Sequence, residues 1–308
     1  MRGRSATCTV IDFGLPVAVA LASGAALPAA SAGSVLQRSV QALELQHLST
    51  YGGSYTGVVV TGTQALASRG RVLEVFDVAD PVAPQLVGTS AQLPAAAEVE
   101  AAGPGVAYLV ERNYSAPDVD DHYDQLYVVD VHDAGAPVLA GTLRLPRRAL
   151  HDVLPVGALL YGAGSTEGIV RIDASDPDQP VLEQVLDLGM AVSGLVAYGG
   201  RLLAAATDAD YSGWLVVLQP LGALHPIETA RIRTGGTSGK VAVSGHHAFV
   251  ESLQPTPDGA NEGATILVDL ADPAAPRIVG RLPITGVRDF AVTPDRVFAL
   301  DAPHGVRD

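Results

Sequence analysis

The densest chemistry in the chain lies in "ERNYSAPDVDDHYDQ", residues 111 to 125. Asp118, Asp120, Asp121 and Asp124 set four carboxylates close together, with His122 among them. Oxygen ligands gathered in this way can hold Ca²⁺. The spacing lacks the central glycine and the terminal glutamate of an EF-hand loop. A solvated acidic loop with no cofactor is therefore the competing reading.

A second constellation is spread along the sequence. Glu98, Asp152, Leu195, Lys240 and Asp289 each stand just before the first apolar residue of a strand-like run, and His151 and Arg288 flank two of them. Brought together, His151 could serve as base, with Asp152, Glu98 or Asp289 as acid or metal ligand, which is the equipment of a hydrolase or lyase. The alternative is that Lys240 and Arg288 neutralise the acids in a wet channel. Tyr114, Tyr123, Tyr211 and Trp214 fall in or beside long loops, where amphipathic rings suit a partner's surface or pack under their own loop. His246 and His247 sit in a hairpin turn and read as exposed. The sequence contains no G-x-S-x-G elbow, phosphate loop or H-E-x-x-H zinc motif.

What must position these residues is a repeated phrase. "EVFDVADPVAPQLVG" from Glu74 returns as "QLYVVDVHDAGAPVLAG" from Gln125 and "GIVRIDASDPDQPVLEQ" from Gly168. It appears again as the worn "WLVVLQPLGALHPIET" from Trp214 and as "ILVDLADPAAPRIVG" from Ile266. The strand-ending residues Asp77, Asp130, Asp173, Leu218 and Asp269 are 43 to 53 residues apart, the spacing of propeller blades. Each copy starts with a run apolar on both faces, as a strand between neighbouring sheets must be. A turn follows in which the Asp oxygen accepts a backbone N–H and proline presets φ. Between copies lie two further strands, as in "GKVAVSGHHAFVES". Four short strands per period, repeated radially, define an all-β fold, a β-propeller of four-stranded blades.

The phrase "LYVVDV" followed by Asp-x-x-x-Pro, together with "VAVSGHHAFV", resembles the LVIVD-repeat proteins of bacterial and archaeal cell surfaces. The resemblance runs from about Tyr55 to the C-terminus and is weakest at Leu218, Gln219 and Pro220. It implies a propeller and a place outside the cytoplasm. The family has no common catalytic motif, so the resemblance brings no active-site residue with it. Five copies are complete, and a sixth begins with "RDFAVTPDRVFAL". Either residues 42 to 49, "ALELQHLS", supply the outer strand of that sixth blade, or the chain is part of a longer protein.

The expected organisation is a signal peptide over residues 1–32, an N-terminal segment over 33–54 and the propeller over 55–308. Arg2 and Arg4 precede an apolar run from Leu15 to Ala30, and Ala30-Ser31-Ala32 offers a cleavage site. The run is short and broken by Pro16, Gly24 and Pro28, so no transmembrane helix is expected in the mature chain. Cleavage would remove Cys8, the single cysteine, and with it any disulfide. With 33 Gly and 21 Pro against 5% aromatic residues, the composition suits short strands and many turns rather than long helices. A formal charge of −14 repels phosphate backbones and argues against nucleic-acid binding. The expected role is a secreted or cell-surface scaffold with an acidic face for a protein or other surface macromolecule; the alternative is the hydrolase or lyase.

Overall fold

The computed structural model describes residues 7–12, 55–80, 82–113, 122–146, 150–164, 168–223, 225–255, 261–284, 287–292 and 296–301. Every regular element among them is a β-strand. The first sheet joins β2 (Gly57–Thr61), β3 (Gln64–Arg69), β4 (Val72–Asp77) and β5 (Gln85–Thr89) in chain order. The second joins β6 (Glu98–Gly103), β7 (Val106–Asn113), β8 (Tyr123–Asp130) and β9 (Val138–Pro146). The third is β10 (Val153–Val156), β11 (Leu159–Gly164), β12 (Gly168–Asp173) and β13 (Val181–Leu186). The fourth is β14 (Ala191–Tyr198), β15 (Arg201–Thr207), β16 (Gly213–Gln219) and β17 (Ile227–Gly235). The fifth is β18 (Thr237–Ser244), β19 (His247–Pro255), β20 (Asn261–Asp269) and β21 (Arg277–Leu282). A three-stranded sheet pairs β22 (Val287–Val292) with β23 (Arg296–Asp301), and β23 with β1 (Thr7–Asp12).

The chain forms two compact units. One comprises Gln46–Ala197 with Pro220–Pro226; the other comprises Met1–Leu45, Tyr198–Gln219 and Ile227–Asp308. In the first unit, β8 shows why the repeat strands are apolar throughout. Its Tyr127 and Val129 pack with Leu66, Leu73 and Val75 of the first sheet. Its Leu126 and Val128 pack with Leu160, Val170 and Ile172 of the third. Successive side chains point to opposite faces, so a strand sandwiched between two sheets has no wet side. Each fully buried Leu or Val contributes roughly 1.5–3 kcal/mol of transfer free energy. In the second unit, Phe249, Leu267 and Val297 belong to a comparable cluster.

The turn chemistry expected of the repeat holds in four copies. Asp77, Asp130, Asp173 and Asp269 accept the N–H groups of Ala79, His132, Ser175 and Ala271 through Oδ1 at 2.8–2.9 Å. Three residues on, Asp80, Asp133, Asp176 and Asp272 repeat the bond to Val82, Gly135, Asp178 and Ala274 at 3.0–3.1 Å. The fourth copy has no such acid: β16 ends on Gln219, one residue beyond the expected Leu218. There Gly222 donates its N–H to the Tyr161 hydroxyl at 3.0 Å, and its carbonyl accepts from Arg171 at 3.3 Å.

Register repeats as faithfully as sequence. In all five four-stranded sheets a bulge interrupts the pairing of the third and fourth strands at one equivalent position, between Val75 and Phe76, Val128 and Val129, Arg171 and Ile172, Val217 and Leu218, and Leu267 and Val268. The glycine that closes the phrase is set by packing. A Cβ on Gly88 would collide with the carbonyl of Ala134, and one on Gly141 with that of Pro177, because the next sheet's turn nests on the bare backbone.

Residues 42 to 49, the expected closing strand, lie outside the described residues. The strand that does lie against β23 is Thr7–Asp12, from the stretch read as a leader.

Candidate interaction surface

Among the expected contact residues, Tyr211 lies in one built loop of the second unit, and Trp214 follows it as the second residue of β16. The loop joins β15 to β16 and is organised by Asp208. Its Oδ1 accepts the N–H of Asp210 at 3.0 Å and of Ser212 at 2.9 Å. Its Oδ2 accepts Trp214 Nε1–H at 2.8 Å, and its own backbone N–H donates to the Ser212 carbonyl at 3.0 Å. The Trp214 and Ser212 donors hold the Asp208 carboxyl below the usual carboxylate range. From the next strand, Arg233 donates to Ser212 Oγ at 2.7 Å, and the Arg231 guanidinium lies 5.7 Å over the Trp214 ring. Arg231 is itself fixed by two bonds to Glu228, at 2.5 and 2.7 Å.

This scaffold holds Tyr211 at φ 59°, alone among the described non-glycine residues in the left-handed region. The conformation costs a residue with a Cβ about 1–2 kcal/mol. The ring it presents is 72% exposed. A loop backbone fixed by these bonds before a partner arrives lowers the entropy cost of contact, leaving only the ring's own rotamers to be ordered. The organising Asp208 was not singled out from sequence, although Asp-Ala-Asp-Tyr-Ser-Gly from Asp208 is a turn signal with a mechanism.

The other rings differ. Tyr123 lies in β8 under the Arg144 guanidinium, 4.0 Å from the ring centroid, and is half-buried. Tyr114 falls outside the described residues, as do Asp118, Asp120 and Asp121. Among the described residues no group of three or more His, Cys, Asp or Glu is placed to hold a metal ion.

Two carboxylates of the constellations, Asp124 and Asp152, tie sheets together, as do other acceptors. Asp124 is fully buried, and its Oδ2 accepts the N–H of Leu150 at 2.9 Å, just ahead of the third sheet. Asp152 accepts the N–H of Leu195 in β14 at 2.9 Å. Ser68 does the same for Val99 at 3.1 Å, and Thr207 for Ser238 at 3.0 Å. Glu251 accepts the N–H groups of Lys240 and Val287. Apart from the bond to Lys240, which lies in the same sheet as Glu251, an acceptor on one sheet satisfies a backbone donor at or ahead of the first strand of the following sheet, a donor that burial would otherwise leave unpaired. Glu251 shows what this costs: burial pushes its carboxyl up, and the two N–H groups and Lys240 only partly offset it. Gly239 makes room for it, because a Cβ there would collide with the Glu251 carboxylate.

His151 donates its backbone N–H to Ala163 at 2.8 Å and precedes β10 as expected. Leu195 and Lys240 lie inside β14 and β18, which begin earlier than the apolar pattern suggests. Asp289 is in β22, opposite Leu300. Glu98 opens β6 at an open recess of about 270 Å³ lined by Ala97, Val110 and Arg112. Arg112 Nη1 lies 3.3 Å from Glu98, and Nη2 lies 2.6 Å from Glu100 and 3.0 Å from the Leu150 carbonyl. Burial works against this guanidinium's charge, but Glu100, Glu98 and Asp124 together raise its affinity for the proton. Among the described residues no helix is long and apolar enough to cross a membrane.

No protein-family model and no curated protein matches the sequence. Solved structures do match in fold. A functionally unknown protein from Desulfotomaculum acetoxidans DSM 771 superposes with a TM-score of 0.59 at 12% identity, over 80% of this chain and 74% of its own. A chain of the mitotic checkpoint complex gives 0.57 at 13% identity, over 80% and 74%. The Myceliophteria thermophila Cps50 (Swd1) β-propeller domain gives 0.52 at 13%, over 76% and 72%. With five four-stranded antiparallel sheets repeated in chain order, the protein belongs to the β-propeller fold class.

Proposed function

We propose that this propeller is a non-catalytic scaffold that binds another protein through the loop carrying Tyr211 and Trp214. The observation behind it is the exposed Tyr211 ring held at positive φ by the Asp208 network. Tyrosine and tryptophan on pre-organised loops are the usual anchors of protein contacts. Two structural neighbours support the reading by class: one is a chain of a multi-protein complex, the other a propeller domain. The net charge of −14 favours a basic partner and binding that weakens with salt. Calcium at Asp118, Asp120 and Asp121 would add order to a separate loop and is not required for this contact.

The test starts from the full chain used as bait, with the partner identified by mass spectrometry and then purified. Titration by calorimetry should show Tyr211→Ala weakening binding at least tenfold with an unchanged melting temperature. Equal affinities for the variant and the parent would dismiss the loop as the contact.

A further inference from the structure

β1 ends on Asp12, and Asp12 lies opposite Arg296, the first residue of β23. The same pairing recurs in the repeat sheets. Asp77 is opposite Gln64, which opens β3; Asp130 is opposite Val106, which opens β7. Asp173 is opposite Leu159, which opens β11; Asp269 is opposite His247, which opens β19. Because a slip of one residue reverses the facing of a whole strand, an identical register is a specific match. The sequence agrees. Pro16 follows Asp12 by four residues, as Pro81 follows Asp77, Pro177 follows Asp173 and Pro273 follows Asp269.

From register and sequence together, we propose that Thr7–Asp12 is the third strand of a sixth repeat sheet, whose first two strands, β22 and β23, come from the other end of the chain. Without it β23 keeps an open edge of unpaired backbone donors and acceptors. Joining the two ends closes a long loop, but loop-closure entropy grows only logarithmically with length, so a paired strand offsets it. Residues 7–12 then belong to the fold. Cutting the chain after Ala32 would remove the strand, so this assignment and the leader expected over residues 1–32 exclude each other in the folded protein.

Cys8, the single cysteine of the chain, lies opposite Leu300 and supplies the test. Directly opposed Cα atoms of antiparallel strands are about 4.5–5.5 Å apart, within disulfide range. In the full chain, Leu300→Cys under mild oxidation should form an intrachain disulfide to Cys8, read by peptide mass mapping. Ala299→Cys, one residue out of register, should form several-fold less. Hydrogen exchange on the unmodified full chain gives a second reading: peptides covering residues 7–12 and 296–301 should exchange slowly together. Equal cross-linking of the two variants, cross-links only between molecules, or fast exchange throughout residues 7–12 would each overturn the assignment.

Discussion

Asp124 separates a metal ligand from a structural latch, because the two roles predict different responses to the same substitution. Asp124→Ala removes a fully buried acceptor and leaves the Leu150 N–H, equally buried, without its partner. A hydrogen bond to a charged group contributes about 1.5–3 kcal/mol, and an orphaned buried donor costs a further share of its desolvation, so a loss of about 3 kcal/mol is expected. Arg112 also loses one of its compensating carboxylates but keeps Glu98 and Glu100. For a unit of this size the melting temperature should fall by about 6–12 °C. The assay is a calorimetric melt of the parent and the variant, each in EDTA and in millimolar calcium. The latch predicts the same fall in both buffers. A metal ligand predicts a parent raised by calcium and a variant that calcium does not raise, since an ion stabilises only the state that binds it. A variant that melts with the parent in EDTA would refute the latch.

Four further outcomes follow from the same geometry. Gly141→Ala should lower stability by about 3 kcal/mol, because its Cβ meets the fixed Pro177 and Asp178 backbone, whereas Gly157→Ala, with open space and φ 62°, should cost only about 1 kcal/mol of backbone strain; equal losses in denaturant melts would deny the nesting. Glu251→Gln should match the parent below about pH 4.5 and exceed it increasingly as pH rises, since a raised carboxyl pKa takes stability away above the ordinary value; a parent that gains on the variant with rising pH would contradict it. Trp214, the single tryptophan, should keep its emission above the ordinary Asp range near pH 3.9 and change only as pH falls through the lowered Asp208 value; a transition at or above that pH would show that the indole bond does not hold the carboxyl. Tyr211→Gly should raise stability by up to about 1 kcal/mol while losing partner binding; a loss of stability would mean that the ring packs on the loop instead of serving a partner.

The architecture was legible because the repeat states its own physics. The four copies with an acid at the strand end all make the expected Asx bond, and the copy that lacks it, where β16 ends on Gln219, is the one whose turn is held by Tyr161 and Arg171 instead. Strand positions followed from residues apolar on both faces, as β8 shows. The candidate chemistry was less legible. Asp124 and Asp152 looked like ligands because a sequence shows charge without burial, and nothing in their spacing reveals a backbone N–H waiting across the gap to the next sheet. Arg112 was invisible for the same reason: its partners Glu98 and Glu100 lie on the neighbouring strand rather than beside it in the chain. Tyr211 was found by type and position, but its value as an anchor rests on a backbone angle no composition reports.

These details bear on where function can lie in such a chain. The repeat positions are largely committed. The strand-end acids cap turns, the glycines of β5 and β9 receive the next sheet's turn, and acceptors at Ser68, Asp124, Asp152, Thr207 and Glu251 satisfy donors ahead of the following strands. A group recruited for catalysis from this set would first have to release a buried N–H, at a cost of about 1–3 kcal/mol before any chemistry began. The connections between second and third strands vary in length from one copy to the next, so the repeat constrains them less than it does the strands. The loop after β15 is the described case in which that freedom has been used to fix, at some backbone strain, a ring that points into solvent. Strain is retained where something other than stability maintains it, so the search for a partner should begin at Tyr211.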